Sequence, residues 1–178
     1  MNPIENRSQS ATKRLGGTMI TLAWLLALAL LTLIFNDWLE SQRNPNPRLT
    51  SSGTEQGPAE VRLARNRYGH YVATGRINGH EVEVLLDTGA TDVSIPGALA
   101  KRFGLKPGAA VAAHTANGII EVYLTTVPQI ALGSIVIEDV AAHINPHISG
   151  DAVLLGMSFL KHLEFTQRGD TLTLRQTQ

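Results

Sequence analysis

Cysteine is absent from the 178 residues, which rules out disulfides, thiolate metal sites and a cysteine nucleophile while leaving either redox compartment open. Aromatic residues are only 5% and the formal net charge is zero. A nucleic-acid surface needs clustered Lys and Arg, so no nucleic-acid binding is expected. The nearest thing to a metal pattern is His143, His147 and Asp151, spaced i, i+4 and i+8. Pro146 and Ser149-Gly150 oppose the helix that would align them, and an H-E-x-x-H context is lacking, so neither metal nor cofactor is expected. Gly156-Met157-Ser158-Phe159-Leu160 begins like a nucleophile elbow but lacks the closing glycine, which argues against a serine hydrolase. Arg168-Gly169-Asp170 reads as a hairpin turn.

One long apolar run is present. Met19 to Phe35 carries no charge over 17 residues, and as a helix it rises ~26 Å against a hydrocarbon core of ~30 Å, enough to span with help from its flanks. Arg7, Lys13 and Arg14 precede it, whereas Asp37 and Glu40 follow at once and Arg43 and Arg48 come later. That asymmetry places the amino end in the cytoplasm and the rest outside, with Trp38 as an interfacial anchor. A cleaved signal peptide would have a shorter apolar region and small residues after it, not Asn36-Asp37-Trp38. The expected organisation is a cytoplasmic segment over 1–18, a transmembrane anchor over 19–38, a flexible linker over 39–60 and one globular domain over 61–178. The linker is assigned on its Asn, Pro, Ser and Gly content, which buries too little apolar surface to order itself. Two copies tethered to one bilayer gain effective concentration for each other.

Within the domain, short alternating runs predict strands near 61–64, 70–77, 81–86, 110–114, 120–131, 135–142, 152–155 and 171–175. Helices are few and short. This spacing predicts a mostly β, closed or folded-over structure whose sheet edges are paired, with Thr171 to Arg175 as a candidate edge.

The chemistry concentrates at Val84-Leu85-Leu86-Asp87-Thr88-Gly89-Ala90, an apolar strand ending in a carboxylate and a glycine turn. Gly89 lets the backbone turn closely beside Asp87, and the Thr88 hydroxyl is placed to hydrogen-bond a neighbouring backbone group. One carboxylate is a poor catalyst of amide hydrolysis. Two about 3 Å apart share a proton and can both activate water and protonate the carbonyl. The motif occurs once, so a second Asp87 has to come from a second copy. Asp92 and Asp151 are read as a turn residue and a strand start.

The run Leu85-Leu86-Asp87-Thr88-Gly89-Ala90, with Ala152-Val153-Leu154-Leu155-Gly156-Met157 later, resembles the retropepsin-like aspartic proteases, most closely their bacterial membrane-anchored branch. The resemblance covers about 61–178. It implies a homodimeric acid-type endopeptidase acting on protein or peptide substrates, built as a closed β-barrel-type domain with one or two short helices after one transmembrane helix. It implies a periplasmic setting, Thr88, Gly89 and Ala90 as support of the catalytic loop, and terminal strands in an intersubunit sheet. It further implies that Leu154, Leu155 and Gly156 cross behind the loop and brace it.

Two internal features accompany this. Val84 to Gly89 is followed by the helical pattern Ala98 to Phe103, and Val153 to Gly156 by Ser158 to Leu163, as if one βα unit were used twice. Asn117-Gly118 between Val111 to Ala116 and Ile119 to Leu124 is a hairpin signal. Its place in the chain resembles the family's substrate-covering flap, with Asn117, Gly118 and Ile119 pairing with an extended peptide. Asn78-Gly79 reads as an ordinary surface hairpin. The alternative to a protease is a catalytically silent dimerisation or peptide-binding module of the same fold, which would tolerate Asp87→Asn.

Overall fold

The computed structural model describes residues 5–49, 58–115 and 118–177. The chain divides into two compact units, Met1–Ser41 and Gln42–Gln178. The first consists of nearly all of helix α1 (Glu5–Arg43). Its stretch Thr18–Arg43 contains an 18-residue window of mean hydropathy 2.4 and is long and apolar enough to cross a membrane by length and composition. The large side chains from Met19 to Phe35 are exposed, so no protein core takes them up. The helix continues to Arg43, past the end expected for the anchor.

The second unit holds β1 (Glu60–Ala64), β2 (Tyr71–Ile77), β3 (His80–Leu86), β4 (Val93–Pro96), α2 (Gly97–Arg102), β5 (Ala110–Thr115) and β6 (Gly118–Leu132). It continues with β7 (Ile135–Asn145), β8 (Ala152–Leu155), α3 (Met157–Leu160), β9 (Leu163–Arg168) and β10 (Thr171–Gln176). One sheet runs β2-β3-β8-β4-β7-β6-β5, and β2 also pairs with β6 through Arg76↔Ala131 and Ile77↔Ile130. That last pairing closes the sheet on itself, the mostly β, barrel-type architecture expected. Alternation decides which way each strand faces: Val84, Ile95, Val153 and Leu155 are fully buried in the core. Asn78 and Gly79 take φ of 49° and 82° in the β2–β3 turn, the pair of positive values a two-residue hairpin of matching twist needs.

Four readings change. Strand β4 intervenes between the Asp87 loop and α2, whereas β8 runs directly into α3, so the two βα halves are not equivalent. The helical pattern at Ser158 to Leu163 yields one turn of helix, Met157–Leu160, and then strand β9. Thr171 to Arg175 is no edge, because β10 lies in the middle of a second sheet, β1-β10-β9. The fourth change concerns the linker reading of 39–60. Asn46 Nδ2 donates to Ala64 O and Val72 O at 2.8 and 2.7 Å, and its Oδ1 accepts from Ala64 N at 2.7 Å. Thr74 N donates to Asn46 O at 3.2 Å, so the backbone at Asn46 adds a one-residue parallel bridge beside Ala73. Arg43 pairs with Glu83 at 2.9 Å, and Leu49 packs on the core. A polar segment is thus ordered by amide side chains that satisfy strand groups otherwise left unpaired.

Candidate active site

Strand β3 lies parallel to β8, with Leu85↔Leu154 and Leu86↔Leu155. Parallel strands with no tight connection require a crossing chain. Here the chain leaves β3 at Asp87, loops through Asp92 and returns as β4 on the far side of β8. The loop is fixed at its root, since Asp87 N donates to Leu155 O at 3.0 Å. It is fixed at its tip by the first residues of α3: Met157 N donates to Ala90 O at 2.8 Å and Ser158 N to Thr91 O at 2.9 Å. Ser158 Oγ also accepts from Val93 N at 3.0 Å. Gly156 is where the two segments cross. A Cβ there would lie 2.4 Å from Asp92 O and 2.7 Å from Ala90 O, so no larger residue fits without moving backbone.

The Asp87 carboxylate is half-buried, and its Oδ1 accepts from Gly89 N at 2.8 Å. Ala90 N donates to Asp87 O at 3.3 Å. The loop therefore presents one carboxylate oriented by its own backbone, which is how an Asx-type turn holds an aspartate. Thr88 is exposed, and its hydroxyl makes no hydrogen bond among the described residues. Asp87 opens on a cavity of about 430 Å³ bounded by the loop, His70, Tyr71, Phe165, Gln167 and Leu172. Asp87 is the one acidic residue lining it.

The structure brings Asp87, Gly89, Ala90, Leu155 and Gly156 together at this loop. The hairpin β5–β6 forms as its sequence predicts, with Thr115 opposite Gly118, Gly118 at φ 115° and Ile119 66% exposed. Gly118 and Ile119 do not line the Asp87 cavity, and Asn117 lies outside the described residues.

Sequence reasoning missed several neighbours. Ser158 locks the loop, and nothing local marks it. Tyr71 and Phe165 wall the cavity, and the Tyr71 hydroxyl is buried without a partner among the described residues. Registers across β3, β8, β4 and β7 align Leu85, Leu154, Ser94 and His143 in one row on the face opposite the core. The Ser94 hydroxyl there is buried without a partner among the described residues. Burial pushes the His143 imidazole below its ordinary value, and the Asp92 carboxylate pulls it back upward. Asp92, read from sequence as a solvated turn, is half-buried.

A single oriented Asp-Thr-Gly carboxylate on a crossed β loop invites comparison with aspartic proteases. The model of the gag-polyprotein putative aspartyl protease family matches residues 73–162. The chain belongs to this family. Among solved structures it is similar to a retropepsin-like aspartic protease from Rickettsia conorii, with TM-score 0.56 at 22% identity over 72% of this chain and 94% of that one. At that identity the likeness is one of fold, and the fold is retropepsin-like. The inhibitor-bound EIAV protease is a more distant neighbour, with TM-score 0.45 at 22% identity over 56% of this chain and 92% of that one. An uncharacterised Sinorhizobium protein encoded in the cobV 5′ region is 33% identical over 132 residues, 72% of this chain. The aligned part spans 57% of that relative's length.

Proposed function

We propose that this member of the aspartyl protease family is a membrane-anchored endopeptidase whose active site forms from two copies of the chain. Two Asp87 carboxylates meet across a two-fold axis and hold one proton between them, because like charges that close do not both ionise. The ionised member takes a proton from a bound water, the water attacks the peptide carbonyl, and the protonated member donates to the forming oxyanion. The extended substrate pairs with backbone of the β5–β6 hairpin around Asn117, Gly118 and Ile119. Thr88, Gly89 and Ala90 shape the loop, and Leu154, Leu155 and Gly156 brace it. The observation that carries this reading is Asp87 itself, oriented by Gly89 N–H and opening on a cavity that holds no second carboxylate.

Residues 19–38 anchor the chain, 1–18 lie in the cytoplasm and the protease domain lies outside, in a periplasmic setting. Arg7, Lys13 and Arg14 before the apolar run, against Asp37 and Glu40 after it, support this orientation. The test is digestion of a proteome-derived peptide library by the full chain in detergent micelles at about pH 4 to 7, beside Asp87→Asn. Cuts that vanish in the variant are expected. No cuts from a dimeric wild-type chain would instead favour a silent peptide-binding module, and cuts that persist in the variant would show cleavage that does not depend on Asp87.

A further inference from the structure

Asn66, between β1 and β2, is buried, and both polar atoms of its side chain are used. Its Oδ1 accepts from Tyr68 N at 3.0 Å and from His70 N at 2.9 Å, which closes the turn. Its Nδ2 donates to Arg43 O at 3.0 Å. Arg43 is the last residue of α1, so one side chain both shapes the turn and caps a terminal helix carbonyl that has no partner within the helix. The residues after Arg43 are fixed as well, by Asn44 Nδ2 donating to Thr74 Oγ1 at 3.2 Å and by the bonds from the Asn46 side chain to Ala64 and Val72.

The tip of this turn is left without a task inside the domain. Asn66 N donates to His70 O at 2.8 Å and Gly69 N to Asn66 O at 3.0 Å, so the backbone satisfies itself. Tyr68 is 62% exposed, and the Arg67 guanidinium lies 5.0 Å from the centroid of its ring. Arg65 pairs with Asp170 at 3.1 Å where both side chains are exposed, and such a pair is weak in water. Arg65 N also donates to Asp170 O at 2.8 Å, which brings the turn that begins at Arg168 alongside. Of Arg43, Arg65, Arg67 and Arg168, two have acidic partners, Glu83 and Asp170, and two have none among the described residues. That is a local excess of positive charge in a chain whose net charge is zero.

Chain length says what lies within its reach. Trp38 closes the anchoring stretch, and Arg43 is five residues further on, ~8 Å as helix and at most ~18 Å fully extended. The turn bonded to Arg43 is therefore held close to the headgroup layer. Charges there are felt over about 8 Å at physiological salt, and a long guanidinium side chain covers part of the remaining gap. An exposed tyrosine with an arginine against its ring suits that layer, because the ring has an apolar body with a polar tip and the guanidinium takes phosphate oxygens two at a time.

We propose that the Asn66 turn is a membrane-surface contact, in which Tyr68 enters the headgroup layer and Arg65 and Arg67 bind the phosphates of anionic phospholipids. This rests on the membrane-anchored reading and goes beyond it. The anchor limits how far the domain can stand from the bilayer, and the turn selects which side of the domain meets it.

The lack of cysteine lets a single nitroxide report on the turn. In the full chain, Tyr68→Cys carries the label, whose apolar ring stands in for the tyrosine. In vesicles of about 3:1 phosphatidylcholine to phosphatidylglycerol, the label is expected to be about fivefold less accessible to a water-soluble nickel chelate than in phosphatidylcholine alone, the factor one Arg near an anionic surface supplies. Adding Arg65→Glu and Arg67→Glu should remove that shielding, and about 1 M salt should weaken it. A label at Ile148→Cys, also an exposed position, should not distinguish the two lipids. A Tyr68→Cys label equally accessible in both lipids, on a chain that stays with the vesicles through a carbonate wash, overturns the contact and leaves the anchor standing. A chain that carbonate strips from the vesicles overturns both. Shielding that survives the two Glu substitutions, or that vanishes when each vesicle holds a single chain, overturns the lipid contact and assigns the turn to contact with a second copy.

Discussion

Gly156 shows how one residue's physics governs the site. Its missing side chain leaves room for two loop carbonyls that a Cβ would meet at 2.4 and 2.7 Å, so Gly156→Ala has to displace the Asp87 loop or the start of α3. A loss of about 3 kcal/mol or more is expected, read as a lower denaturant midpoint, with activity falling alongside. His143 carries a different signal. Because burial holds its folded pKa below 6.5, the unfolded chain takes up the proton first as pH falls. Its contribution is complete above about pH 6.5 and is lost as pH drops toward the folded value. Thermal melts should therefore show a smaller loss between pH 7.5 and 5 for His143→Gln than for wild type. An equal loss would remove His143 from the account. Asp87 and Gly89 were legible because a strand, a carboxylate and a turn are contiguous in sequence. Gly156 was legible as a brace, but the reason it is glycine depends on a loop more than 60 residues earlier. Ser94, Tyr71 and Phe165 could not be seen at all, since only strand register brings them to the site.

Among the elements, the segment from Arg43 to Leu49 departs furthest from its composition. Asn and Pro content reads as a tether, yet Asn46 makes three side-chain hydrogen bonds to β-strand backbone. Asn46→Ala leaves those buried groups unpaired and is expected to cost about 2–4 kcal/mol in chemical denaturation. A soluble domain starting at Gln42 should likewise be more stable than one starting at Val61; equal stability of the two would show the segment to be dispensable. Local composition could not reveal this, because the groups that the Asn46 side chain satisfies lie 18 to 26 residues away. Strand β4 escaped notice for a related reason. Its four residues are buried throughout, so no alternation marks them, and proline ends the run. Strand β9 goes unpredicted because the helical pattern from Ser158 runs up to its first residue, Leu163, and the five residues after it are exposed, so no alternation marks them.

At the scale of the whole molecule, closure of the barrel rests on two residue pairs between β2 and β6, which no sequence pattern announces. Eight of the ten strands were legible; β4, β9 and the closing contact were not. The account requires more than one chain, for one copy supplies one carboxylate to the cavity. Specific activity should therefore rise with protein concentration in dilute detergent and level off once dimers predominate. The central claim is tested most directly by mixing wild-type and Asp87→Asn chains at fixed total protein, with subunit exchange allowed, and following cleavage of one peptide. If two Asp87 residues from two chains form the site, an equal mixture keeps about a quarter of the wild-type rate, since only paired wild-type subunits hold both carboxylates. A rate of about half, falling linearly with the wild-type fraction, would mean that each chain acts with its own carboxylate alone, and would contradict the account.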